Sequence, residues 1–162
     1  MEKLYPVMMN LSGKKAVIIG GGKIALRKAK GLAETGVKIV VVSPGIRKEL
    51  FKLHDVVWKQ KEFEAKDLKG AHLIFAATDN KAVNEYVCQC AAANQWVNDT
   101  SKSERSDFIT PAVVKRDKFI LAISTSGASP ELAKELKAEL EVRYNNTLGY
   151  TVDMYAKRRN KK

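Results

Sequence analysis

Three glycines behind an apolar run form the stretch of this sequence best suited to chemistry. Ala16-Val17-Ile18-Ile19 runs straight into Gly20-Gly21-Gly22, and the helix-prone segment Lys23-Ile24-Ala25-Leu26-Arg27-Lys28-Ala29 follows at once. Gly20, Gly22 and Ala25 fit the spacing G-x-G-x-x-G/A of a dinucleotide-binding turn. The first small residue permits the tight turn, the second lets a pyrophosphate approach the backbone, and the third lets helix and strand pack closely. Free N–H groups of the first helical turn, with the helix dipole behind them, would hold the phosphates. Lys23 and Ile24 open that helix and belong to the same candidate site. The competing reading is a glycine-rich turn with no ligand.

The second half of such a site departs from the usual pattern. An acidic residue after the second strand ordinarily binds the ribose 2′-hydroxyl, but here the chain reads Ser43-Pro44-Gly45. A serine hydroxyl can take the same bond. Arg47 and Lys48 suit a 2′-phosphate or simply open a solvated helix, so NAD and NADP stay undecided from these residues. Thr78 and Asp79 end the fourth strand and are candidate contacts to ribose or nicotinamide. Equally, they only cap the next helix.

The elements that would position these residues alternate. Strands are expected at Lys15–Ile19, Val37–Val42, Val56–Gln60, Ala71–Ala77 and Trp96-Val97. Between them lie a helix over Lys23–Thr35 stopped by Gly36, a short helical piece over Ile46–Leu53, a connector over Phe63–Lys69 and a helix from Asn80 to about Asn94. This alternation predicts an α/β fold with a doubly wound parallel Rossmann sheet. After Asn98 the pattern changes. Asp99–Ser106 reads as loop, Phe108–Lys115 and Phe119–Ser124 as a hairpin, and Ser129 as the N-cap of a helix with Pro130 at its first position. Leu132, Leu136 and Leu140 give that helix one apolar stripe. The expected division is a NAD-binding domain over 1–113, a small α+β dimerisation region over 114–146, and a short helical remnant over 147–162. A hairpin and one helix cannot enclose a core, so a second copy of the chain is the economical partner.

Bulk properties narrow the function classes. The 162 residues carry 29 Lys and Arg against 18 Asp and Glu, a net charge of +11. The basic residues are scattered, except in the tail Lys157-Arg158-Arg159-Asn160-Lys161-Lys162, and no nucleic-acid recognition motif accompanies them. A strongly anionic small substrate accounts for the charge. No apolar run approaches a membrane span, and Met1-Glu2-Lys3-Leu4-Tyr5-Pro6 lacks a signal-peptide pattern. A cytoplasmic protein without membrane or nucleic-acid partners is expected. Cys88 and Cys90 sit two apart in a helical segment and do not face each other. With only two histidines, His54 and His72, no metal site is expected.

Taken together, the motifs resemble the precorrin-2 dehydrogenase module of the siroheme synthase family. The matching stretches are Gly20-Gly21-Gly22-Lys23-Ile24-Ala25-Leu26-Arg27-Lys28, Ala76-Ala77-Thr78-Asp79-Asn80 with Val83-Asn84, Val97-Asn98, Asp107-Phe108 with Pro111-Ala112-Val113-Val114, and Ala122 through Ala133. The resemblance implies NAD-dependent oxidation of precorrin-2, a polycarboxylate tetrapyrrole, to sirohydrochlorin. It also implies a homodimer built after Pro111. Two-function relatives add ferrous iron chelation and usually carry an aspartate three residues after the Val-Asn asparagine. That position is Ser101 here, flanked at other spacings by Asp99 and Asp107, so a dehydrogenase that hands its product to a separate ferrochelatase is expected. Asp107 and Ser124 are the candidates for proton acceptor or orienting group, against a plain role in turn and strand-end hydrogen bonding. The alternatives are a bifunctional dehydrogenase and ferrochelatase, and a dinucleotide sensor without chemistry.

Overall fold

The computed structural model describes residues 4–54 and 56–159. Two compact units divide the chain, one over Tyr5–Ile109 and one from Thr110 onward. The break falls ahead of the expected boundary at 113, because Ala112 and Val113 already pair with Ile123 and Ala122 in the hairpin of the second unit.

In the first unit, β1 (Lys15–Ile19), β2 (Lys38–Val42), β3 (Val56–Lys59), β4 (Leu73–Ala76) and β5 (Trp96–Asp99) form one parallel sheet ordered β3-β2-β1-β4-β5. The central strands are apolar on both sides because both faces are covered. On one face Ile18, Val41 and Phe75 meet Ala25, Leu26 and Ala29 of α1 (Lys23–Leu32). On the other, Ile19, Val42, Ile74 and Val97 meet Val87 of α2 (Lys81–Cys90). The doubly wound arrangement is the expected one.

Element ends differ from expectation where local bonds compete with the helix. α1 stops at Leu32 rather than Thr35. Ala33 turns extended, Glu34 takes φ +66°, and Thr35 Oγ1 donates to Leu32 O at 2.7 Å. α2 stops at Cys90 rather than near Asn94. Gln95 Oε1 accepts from Ala92 N, while its Nε2 donates to Leu68 O and Ala71 O. β5 runs on to Asp99 because Thr100 N donates to Ala76 O and holds the strand in register. The segment expected to begin a strand at Phe108 does so only at Ala112; Pro111 has no N–H to give.

The second unit contains the hairpin β6 (Ala112–Arg116) and β7 (Phe119–Ile123), α3 (Pro130–Arg143) and α4 (Thr147–Arg159). Val114 of the hairpin and Ala133 of α3 are its buried residues of note. Ser129 Oγ accepts from Leu132 N, the expected cap, with Pro130 in the first turn. The expected remnant is a helix of 13 residues. Its Gly149 lies so close to the hairpin turn that a Cβ there would sit 3.4 Å from Asp117 Cβ. Asn160, Lys161 and Lys162 of the basic tail lie outside the described residues, as do Met1–Lys3. Among the described residues no helix is long and apolar enough to cross a membrane.

Candidate dinucleotide site

The sheet order reverses between β1 and β4, and the carboxyl ends of the strands at such a switch point are the usual ligand position in folds of this kind. The three glycines after β1 serve three different needs. Gly20 has φ +117°, and a Cβ on it would lie 2.4 Å from Ala77 O, so the turn passes directly against the end of β4. A Cβ on Gly21 would lie 2.0 Å from Gly45 O, so the loops after β1 and β2 touch backbone to backbone. A Cβ on Gly22 would meet nothing within 4 Å. Gly22 is the N-cap of α1, and its carbonyl accepts the first intrahelical bond from Leu26 N at 3.0 Å. The N–H groups of Lys23, Ile24 and Ala25 precede that bond and lack intrahelical acceptors. Free space, unpaired donors and a helix dipole therefore coincide at one point, which fits a pyrophosphate. Ala25 is fully buried, as its packing role requires, while Lys23 and Ile24 are exposed.

The loop after β2 is tied to this cradle by Arg47 N, which donates to Gly21 O at 3.0 Å. Ser43 is only 8% exposed. Its Oγ donates to Gly45 O at 2.8 Å, and its carbonyl accepts from Trp58 Nε1 at 2.9 Å. The hydroxyl proton expected for a ribose is thus spent inside the loop. Pro44 and Gly45 are exposed, and Gly45 has open space where a side chain would be.

At the end of β4 the Thr78-Asp79-Asn80 sequence divides its duties. Asn80 Oδ1 caps α2 by accepting from Ala82 N and Val83 N. Thr78 is pinned by Asn84: its N and Oγ1 donate to Asn84 Oδ1 at 3.1 and 2.7 Å, and Asn84 Nδ2 donates back to Thr78 O. Asp79 stands exposed beside it. Asn84 is fully buried, and its role escaped the residue-by-residue reading. The available signal was a polar residue on the inward face of α2. Gly21 escaped it as well, although a third consecutive glycine is a signal in itself.

The carboxylates near β5 are engaged with the backbone. Asp99 is buried; its Oδ1 accepts from Ser101 N at 2.8 Å and Ser101 Oγ at 2.6 Å, and its Oδ2 lies 3.0 Å from Arg105 Nε. Arg105 reaches on to Glu85 at 3.0 Å. Asp99 and Ser101 thereby form a loop clamp, and among the described residues no three His, Cys, Asp or Glu side chains gather as metal ligands. Burial first, then Asp99, raises the pKa of the nearby Cys88 thiol; both cysteines are free. Asp107 Oδ2 accepts from Val97 N at 2.7 Å and Asp107 N donates to Val97 O at 2.8 Å, so Asp107 prolongs the sheet edge beside β5. Ser124, in the second unit, is exposed and accepts from Ser126 N at 3.1 Å. Lys28, unnoticed as a functional group in the sequence, is buried on α1 with Nζ 5.4 Å from the Phe75 ring centre. Burial lowers its pKa to about 8, with Arg27 adding to the shift.

Comparison with known proteins agrees with this geometry. The model of a putative NAD(P)-binding family matches residues 7–112. The precorrin-2 dehydrogenase of Bacillus subtilis is 38% identical over 141 residues, 85% of this chain and 87% of that protein. A siroheme synthase of Nitrosococcus oceani is 34% identical over 84% of this chain, which spans only 30% of that longer protein. The solved structure of SirC, a precorrin-2 dehydrogenase, superposes with a TM-score of 0.81 at 34% identity, covering 94% of this chain and 78% of SirC.

Proposed function

The chain belongs to the NAD(P)-binding family that includes the precorrin-2 dehydrogenases, and from that premise we propose that it oxidises precorrin-2 to sirohydrochlorin with NAD as electron acceptor. The observation that carries the dinucleotide part is the open face of Gly22 at the start of α1, directly after two glycines whose faces are closed by backbone. When bound, the nicotinamide supplies the hydride acceptor. The chain's own residues bind, orient and handle the proton. Gly20, Gly22, Lys23, Ile24 and Ala25 cradle the pyrophosphate. Ser43, Pro44 and Gly45 flank the adenosine half, and Asp79 together with Thr78, which Asn84 holds, flanks the nicotinamide half. Asp107 keeps Oδ1 outside its bond to Val97 and is proposed as proton acceptor; Ser124, in the second unit, is a separate candidate for an orienting role. The net charge of +11 suits a polycarboxylate tetrapyrrole.

The catalytic unit is proposed to be a homodimer joined through the second unit, whose helix α3 leaves Leu132 46% exposed. Iron insertion is assigned to a separate ferrochelatase, since Asp99 is committed to Ser101 and Arg105. Anaerobic incubation with precorrin-2 and NAD tests the main reading: sirohydrochlorin absorbance should rise with the protein and not without it. A chain that binds NAD yet leaves precorrin-2 unchanged would favour the sensor alternative. Siroheme formation from sirohydrochlorin and ferrous iron should not exceed a protein-free blank, and a rate well above it would restore the bifunctional reading.

A further inference from the structure

We infer that Arg47 reads the 2′ substituent of the dinucleotide's adenosine ribose, and that this chain binds NADP as well as NAD. The inference rests on the dinucleotide reading above and concerns the opposite end of the cofactor from the chemistry. In folds of this kind the adenosine ribose lies over the loop after the second strand, where a carboxylate selects a 2′-hydroxyl and an arginine accommodates a 2′-phosphate. Here the carboxylate position is Ser43, buried and turned inward onto Gly45 O. No acidic residue stands between Val42 and Lys48. The loop is fixed against the cradle by two backbone contacts, Gly21 on Gly45 O and Arg47 N to Gly21 O. The Arg47 side chain therefore springs from a point bonded directly to the phosphate-binding turn.

The charge around that point is positive. Arg47 and Lys48 are exposed, and Lys30 of α1 is near enough to act electrostatically on Glu49. The carboxylate facing Arg47 is that of Glu49, 3.6 Å from its guanidinium with both groups about half exposed. Such a pair is weak and readily exchanged. A phosphate dianion offers the planar guanidinium a stronger, bidentate partner. Glu49 thus acts as a stand-in that a 2′-phosphate displaces, and a 2′-hydroxyl leaves in place.

Titration of the purified 162-residue chain with NAD and with NADP, followed by calorimetry at low and at moderate salt, tests this directly. The expected NADP affinity is within about tenfold of that for NAD, and more salt-sensitive. Arg47→Ala should lower the NADP-to-NAD affinity ratio about tenfold, Arg47→Lys should restore part of it, and Glu49→Gln should raise it. NAD binding with NADP more than a hundredfold weaker, or an Arg47→Ala variant with an unchanged ratio, would overturn the inference and leave the dinucleotide reading intact. Binding of neither nucleotide by folded protein would overturn both.

Discussion

The two units of this chain solve the burial problem differently. In the unit over Tyr5–Ile109 a five-stranded sheet is covered on both faces, and even its loop ends are bonded to one another through backbone contacts at Gly20, Gly21 and Asp107. In the unit from Thr110 onward a two-stranded hairpin and two helices leave much of their apolar surface bare. Val113 and Ile120 lie on the open face of the hairpin, and Leu132, Val142, Tyr150 and Met154 are exposed on the helices. Two-stranded sheets are marginal without something to pack on. The contrast suggests a division of labour. We propose that the first unit holds the dinucleotide at the carboxyl ends of its strands and that the second is completed by another surface.

Glycine substitutions break the first unit most severely and separate fold from function. Gly20→Val should leave little folded protein. It forces a β-branched residue into φ +117° with its Cβ against Ala77 O, and both strain and clash must be relieved by moving β1 from β4. Gly22→Val, by contrast, should keep the fold and lose dinucleotide affinity by tenfold or more, because its side chain enters free space that the pyrophosphate needs. Circular dichroism and NAD titration on both variants check the pair. A folded Gly22→Val protein that binds as tightly as wild type would overturn the cradle.

The second unit is broken by charge rather than by size. Ile120→Glu with Leu132→Glu should leave each chain folded but convert a dimer near twice 18.0 kDa to a monomer near 18.0 kDa by light scattering. If wild type is already a stable monomer at micromolar concentration, the exposed apolar face has another partner. Within the first unit, Asp107→Ala should lower stability by about 1 kcal/mol through loss of the bond to Val97 N, whereas Asp107→Asn retains an accepting oxygen there. If Asp107 also accepts the proton, both variants lose turnover while only the first loses stability. Thermal unfolding and turnover together separate the two roles.

How much of this was legible depended on the range of the interaction. The sequence 16–29 announces strand, turn and helix because apolar run, glycines and amphipathic period are local signals, and the observed β1 and α1 begin where those signals place them. The N-cap Ser129 and Pro130 are equally local. Asn84 was not legible in its observed role, and Asp107 was legible only as the plain alternative of strand-end hydrogen bonding, without its partner. One pins Thr78 six residues away and the other extends the edge of β5 ten residues away, through single polar bonds without periodicity. Asp99 carried a chemical identity suited to metal binding, and only its burial beside Arg105 reveals a clamp. Ser43 likewise has the right atom for a ribose and uses it on Gly45.

The smallest expected effect tests how tightly the first unit is closed. Lys28 is buried among the apolar contacts of α1 with its ammonium over Phe75, and its pKa is lowered from the ordinary 10.5 to about 8. Burial disfavours the charged form, so the unfolded chain holds this proton more tightly than the folded one. Between pH 8 and 10.5 the unfolded state therefore binds more protons, and Lys28 makes stability rise with pH across that window. Below pH 8 both states are protonated, and the full cost of the buried charge is present. Lys28→Met keeps the length of the side chain and removes the charge. It should flatten the rise of stability between pH 8 and 10.5. Urea unfolding at pH 7, 8 and 10 on wild type and variant measures that slope. A variant whose stability rises between pH 8 and 10 as steeply as that of wild type would mean that a group other than Lys28 titrates in this window.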